Sequence, residues 1–74
     1  MAELNYEIKR RLAVLSENDM SGWTKEVNIV SWNGREKLDI RDWNPEHTKM
    51  SKGITLSSDE ARILRRALDD VFGR

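Results

Sequence analysis

Asn33-Gly34 constrains this chain more than any other pair of residues. A two-residue type I′ hairpin turn needs positive φ at both central positions, and Asn-Gly meets that need at least steric cost. The dipeptide lies between two stretches that read as strands. Trp23 to Trp32 contains Val27, Ile29 and Val30, and in Lys37 to Trp43 Leu38 and Ile40 alternate with Lys37, Asp39 and Arg41. A two-residue loop leaves one register. Trp32 faces Arg35, Val30 faces Lys37, Asn28 faces Asp39, Glu26 faces Arg41 and Thr24 faces Trp43, all on one side of the sheet. The other side collects Val27, Ile29, Leu38 and Ile40, an apolar set that a helix can cover. Trp23 shares its parity and reads as core.

That helix is the last segment, Ser57 to Phe72. Ser57 and Glu60 form a capping box. Ala61, Ile63, Leu64, Ala67, Leu68, Val71 and Phe72 then cover an arc of about 180°, wider than the roughly 100° that packs on one surface. One side suffices for the sheet, and the remaining flank of Leu64, Leu68, Val71 and Phe72 calls for a second copy. Lys52-Gly53-Ile54-Thr55-Leu56 reads as a short strand with Ile54 and Leu56 inward. Gly53 there is either a bulge or a plain strand-edge glycine. Leu4 to Leu15 fits both a helix and a strand; a strand gives the helix a four-stranded sheet to cover. In that register Lys9 and Arg11 join the face that carries Trp32.

The chain has 74 residues and no Cys, so one domain over residues 1–74 is expected, with neither disulfides nor a zinc ribbon. A core this small usually needs a disulfide, a metal or a partner subunit, and oligomerisation is the device that remains. No apolar run approaches the roughly 20 residues of a membrane span, and the first five residues lack the basic and apolar regions of a signal peptide. A cytoplasmic location is expected. His47, alone in a polar loop after Pro45, reads as a solvent-exposed side chain with no nucleophile nearby. Asp42 and Glu46 read as solvated charges. No catalytic residue, metal, cofactor or small-molecule substrate is expected. Arg62, Arg65 and Arg66, spaced among Asp59, Asp69 and Asp70, read as a solvated, ion-paired helix face and not as a groove-reading helix.

The hairpin register has a functional consequence. Trp32 and Trp43 fall on the polar face, among Arg35, Lys37 and Arg41. Aromatic rings interleaved with cations on an open sheet suit single-stranded nucleic acid, because bases stack on the rings while cations follow the phosphates. Trp and Arg are also enriched where proteins meet, so spacing alone leaves a protein-interaction module as the alternative. The balance of 13 basic and 13 acidic residues weighs mildly against nucleic acid unless the charge is segregated.

Asp39-Ile40-Arg41-Asp42-Trp43, then Lys52-Gly53-Ile54-Thr55-Leu56 and a capped helix, resembles the positive-cofactor-four family of transcriptional coactivators, and its compact bacterial YdbC-type members in particular. Trp32-Asn33-Gly34-Arg35 stands where that family has an aromatic-x-Gly-basic hairpin tip. The resemblance covers about residues 23 to 68. It implies an α+β fold with a curved four-stranded antiparallel sheet and a C-terminal helix, and a homodimer. It also implies binding of single-stranded DNA, or RNA, with little sequence specificity, in transcription, replication or repair at the nucleoid. Trp32 and Trp43 would then stack on bases, and Arg35, Arg41, Lys49 and Lys52 would meet the backbone. The loop from Trp43 to Lys52 is shorter than in the eukaryotic coactivators, and their Ser- and Lys-rich tail is absent.

Overall fold

In the computed structural model, which describes residues 5–73, four strands run antiparallel in sequence order and are followed by one helix. They are β1 (Tyr6–Glu17), β2 (Thr24–Trp32), β3 (Arg35–Trp43), β4 (Ile54–Leu56) and α1 (Ser58–Phe72). Leu4 and the residues before it lie outside the described part. The expected α+β fold is therefore present, with a strand as the first element.

The β2–β3 hairpin has the register set by its turn, from Trp32 opposite Arg35 to Thr24 opposite Trp43. Asn33 and Gly34 both take positive φ, 52° and 89°, as a type I′ turn demands. The capping box forms as expected: Ser57 Oγ accepts from Glu60 N–H, and the Glu60 carboxylate accepts from Ser57 N–H at 2.8 Å.

Between the β3–β4 ladder and the Trp43–Met50 bridge, Arg41 and Asp42 stand opposite Ser51, Lys52 and Gly53. The extra residue makes an irregularity in the edge strand, and Gly53 sits in it. A Cβ at Gly53 would lie 2.4 Å from both Arg41 Cβ and the Ile40 carbonyl oxygen, so the backbones can approach this closely only because position 53 carries no side chain.

β1 departs from the simple alternation. Its register against β2 slips at three places, between Ile8 and Arg10, Arg11 and Ala13, and Val14 and Ser16. Such slips bend a strand and increase its twist. The sheet curls, and the concave side is the face that carries Trp32 and Trp43.

The core sits on that concave side and not beneath the helix. Among the described residues the fully buried apolar side chains are Val30 and Trp43, joined by Glu26, Asn28, Asp39 and Asn44. Val27, Ile29, Leu38 and Ile40 are only half-buried. α1 meets the sheet at β3 and β4 alone, none of its residues is buried, and Leu15, Val27, Leu38, Ile40, Leu64 and Leu68 line a gap of about 370 Å³ between helix and sheet. Trp23 corrects the sequence reading: its parity is as expected, but the helix does not reach that end, and the indole is a half-buried wall of an open groove beside Ser16, Lys25 and Asp42. The radius of gyration, 13.6 Å, exceeds the ~11 Å of a compact domain of this length, in keeping with a helix that stands off its sheet.

Candidate nucleic-acid interface

The curl brings the two ends of the concave face together. Tyr6 pairs with Trp32 beside the hairpin tip, yet its ring centroid lies 5.8 Å from that of Trp32 and 5.6 Å from that of Trp43. Trp43 stands at the far end of the same ladder. Tyr6 Oη donates to the His47 carbonyl at 3.3 Å, and the His47 ring stacks on Trp43 with centroids 5.7 Å apart. Trp43 is therefore closed in by Tyr6 and His47 and has no exposed surface. This corrects its reading as an open stacking platform. Parity placed it on the right face, but parity carries no information on what folds over a position.

Trp32 is half-buried, and the Arg41 guanidinium lies over its ring at 4.7 Å from the centroid. A cation over an indole face is attracted by the ring's quadrupole. Arg41 is anchored three further times. Its Nε donates to Asp39 Oδ1 at 2.7 Å, and Nη1 reaches Met50 Sδ and the Ser51 carbonyl, each at 3.3 Å. Its ion partner is thus Asp39 on its own strand and not Glu26 across the ladder.

Glu26 serves a different group. Its carboxylate accepts from Thr24 Oγ1 at 2.5 Å and Asn28 Nδ2 at 3.1 Å, and His47 Nε2 stands 2.9 Å from Oε2. His47 is therefore not the exposed loop residue expected from sequence: it is half-buried, at φ 59°, and clamps the loop after β3 onto the sheet. Asn44 shapes that loop from within, accepting from the Thr48 and Lys49 N–H groups at 2.9 Å each.

Burial alone would raise the pKa of Glu26, but the hydrogen bonds from Thr24, Asn28 and His47 and the charge of His47 outweigh it and hold the carboxyl below its ordinary value of 4.5. A depressed carboxyl stabilises the fold above the unfolded value and loses that contribution as pH falls through the folded one. Denaturant unfolding of the wild type and of Glu26→Gln is expected to differ most at neutral pH and to converge below pH 4.5. A constant gap across that range would show that the carboxylate charge contributes nothing.

The remaining cations spread around this centre. Arg11 lies opposite Asn28, Arg35 opposite Trp32 and Lys37 opposite Val30, all three exposed on the concave side. Lys9 does not join them. It falls at the first slip of β1 and lies 3.7 Å from Glu7, so the alternation that aligned it with Arg11 is interrupted. Lys49 is exposed in the loop after Trp43. Lys52 is exposed beside Lys25, Asp42 and Ile54 in a shallow groove away from Trp32. Tyr6 and His47, which complete the aromatic cluster, escape a reading by sequence. Strand alternation gives Tyr6 no role, and only the curl reveals that its ring spans two tryptophans.

Residues 20–67 match the family described as Transcriptional Coactivator p15 (PC4). The chain belongs to the PC4 family. This is a non-enzymatic, nucleic-acid-binding family known for single-stranded DNA binding and transcriptional coactivation. The match runs from the loop before β2 into α1 and so includes the whole aromatic cluster except Tyr6. A protein of Treponema pallidum (strain Nichols), described only as uncharacterized, is 43% identical over 70 residues, covering 93% of this chain and 81% of its own length. Membership in the PC4 family agrees with the resemblance carried by Asp39–Trp43 and Lys52–Leu56. Among the described residues no helix is long and apolar enough to cross a membrane.

Proposed function

We propose that this PC4-family chain binds single-stranded DNA on its concave sheet face, with little sequence preference, as a homodimer. The observation that carries the reading is the half-exposed Trp32 ring with the Arg41 guanidinium over it, ringed by the exposed cations Arg11, Arg35 and Lys37. A base stacks on the Trp32 face and the flanking cations take the phosphates. Arg41, tied to Asp39, holds a fixed positive charge at the ring. Trp43 is the floor that supports Tyr6 and His47. Lys49, exposed in the loop after Trp43, extends the positive field along the path of a longer strand. RNA offers the same base faces and phosphates. Transcription, replication and repair at the nucleoid are the processes that expose such strands.

The homodimer is supported by the incomplete packing of one copy. Leu68, Val71 and Phe72 are 47%, 73% and 79% exposed, and with the half-buried Leu64 they form the flank a second copy covers.

Titration with oligo-dT is expected to quench the tryptophan fluorescence. Affinity is expected to fall with salt at a log–log slope of about −0.7 per phosphate neutralised, and Arg35→Ala should lower that slope by about one such unit. A flat salt response, tighter binding to blunt duplex, or fluorescence indifferent to oligo-dT would overturn the reading, and the last would favour a protein ligand on this face.

A further inference from the structure

The open groove at Trp23 lies on the helix side of the sheet, at the end that α1 does not reach. It encloses about 500 Å³, and Glu17, Asn18, Lys25 and Asp42 line it together with the indole. Trp23 is fixed through its backbone. Its carbonyl accepts from Asn18 N–H at 2.8 Å, and its N–H donates to Ser21 Oγ at 3.2 Å. Lys25 stands directly opposite Asp42, so Trp23, two residues before Lys25, is the diagonal neighbour of Asp42. Such diagonals span about 7–8 Å. The Asp42 carboxylate is half-buried, yet it makes no ion pair among the described residues, and neither does Lys25. Glu17 adds a second carboxylate to the lining, and Asp19 stands exposed in the adjoining turn. Lys52 shares with Asp42 a separate, shallower groove.

We propose that this groove receives an arginine side chain from a basic segment of a protein partner. The guanidinium lies flat on the Trp23 ring and gives two N–H groups to the Asp42 carboxylate. Both contacts suit arginine in particular: its planar fork matches a carboxylate in two parallel hydrogen bonds, and it stacks on an aromatic face. A half-buried carboxylate without a cation is poorly compensated for its lost hydration, and the incoming charge supplies that partner. Two carboxylates against one ammonium in the lining also disfavour phosphate, and with it a nucleic-acid strand. The concave face, with Arg11, Arg35, Lys37 and Arg41, carries the opposite sign. Asn18 Oδ1 is taken up by the Met20 and Ser21 N–H groups, at 2.9 and 3.0 Å, which leaves its amide nitrogen to donate to a carbonyl of the segment. Trp23 and Trp32 lie on opposite sides of the sheet, so the groove and the concave face are open at the same time. The assignment is therefore independent of what the concave face binds.

The probe is hexa-arginine, added to isotope-labelled protein while the indole N–H signals of the tryptophans are followed by NMR. It is expected to move the Trp23 signal and the Asp42 amide. Hexa-lysine carries the same charge on compact ammonium groups and should bind about fivefold or more weakly. Asp42→Asn keeps the shape of the side chain and should weaken hexa-arginine binding about tenfold, the equivalent of one charge-assisted pair. The same variant should hold oligo-dT affinity within about twofold, because the carboxylate lies on the far side of the sheet and is screened by salt. The proposal is overturned if hexa-arginine leaves the Trp23 signal unmoved, or if Asp42→Asn binds it as well as the wild type does. Equal binding of hexa-lysine would show a diffuse field and no arginine site. A Trp23 signal that follows oligo-dT instead would assign the groove to nucleic acid. One that shifts on dilution of the protein alone would assign it to a second copy.

Discussion

Trp43→Ala is expected to cost about 3–5 kcal/mol of folding stability, the usual range for truncating a buried aromatic side chain. Trp43 and Val30 are the fully buried apolar side chains among the described residues, so little else is present to absorb the change. The cavity would open beneath Tyr6 and His47, whose rings lie 5.6 and 5.7 Å from the missing indole. The His47 clamp on Glu26 and the loop that Asn44 organises rest on the same support. Trp43→Phe should recover part of the stability. Thermal unfolding followed by near-ultraviolet circular dichroism reads the effect directly. A melting temperature within a few degrees of wild type would show that Trp43 is an exposed platform after all, as the alternation of β3 suggests when taken alone.

Trp32→Ala is expected to do the opposite. It should lower single-strand affinity by about 1–3 kcal/mol for each base that no longer stacks, roughly 5- to 150-fold, and cost much less stability than Trp43→Ala. Arg41 keeps its bond to Asp39 at 2.7 Å without the ring, and the hairpin is still closed by Asn33-Gly34. Trp32→Phe should retain most of the affinity, since a smaller ring still stacks. The measurement is fluorescence anisotropy with labelled oligo-dT, because removing the indole also removes an intrinsic signal. The stacking role fails if Trp32→Ala melts the fold while the folded fraction binds as before.

The contrast between the two tryptophans also divides what was legible in the sequence from what was not. The turn Asn33-Gly34 determines the hairpin register residue by residue, because only one pairing places two residues with positive φ at its tip. The box Ser57–Glu60 determines where the helix starts. Alternation assigns Trp32, Trp43, Arg35, Lys37 and Arg41 to one face, and the motifs around Asp39–Trp43 and Lys52–Leu56 lead to the PC4 family. These are local facts, governed by backbone conformations and short spacings. Curvature is not local. It accumulates from three slips in β1, and it brings Tyr6 and Trp43, at opposite ends of the ladder, within 5.6 Å. That approach turns one of two equivalent-looking tryptophans into core and leaves the other at the surface. The first of these slips brings Arg11 opposite Asn28 on the face of Trp32, while Lys9 falls in the slip itself. His47 and Glu26 are 21 residues apart and meet only once the loop after β3 has folded back. The sequence by itself therefore determines which residues share a face. Whether a residue on that face is floor or surface is decided by the closure of the sheet over itself, which no pattern of period two encodes.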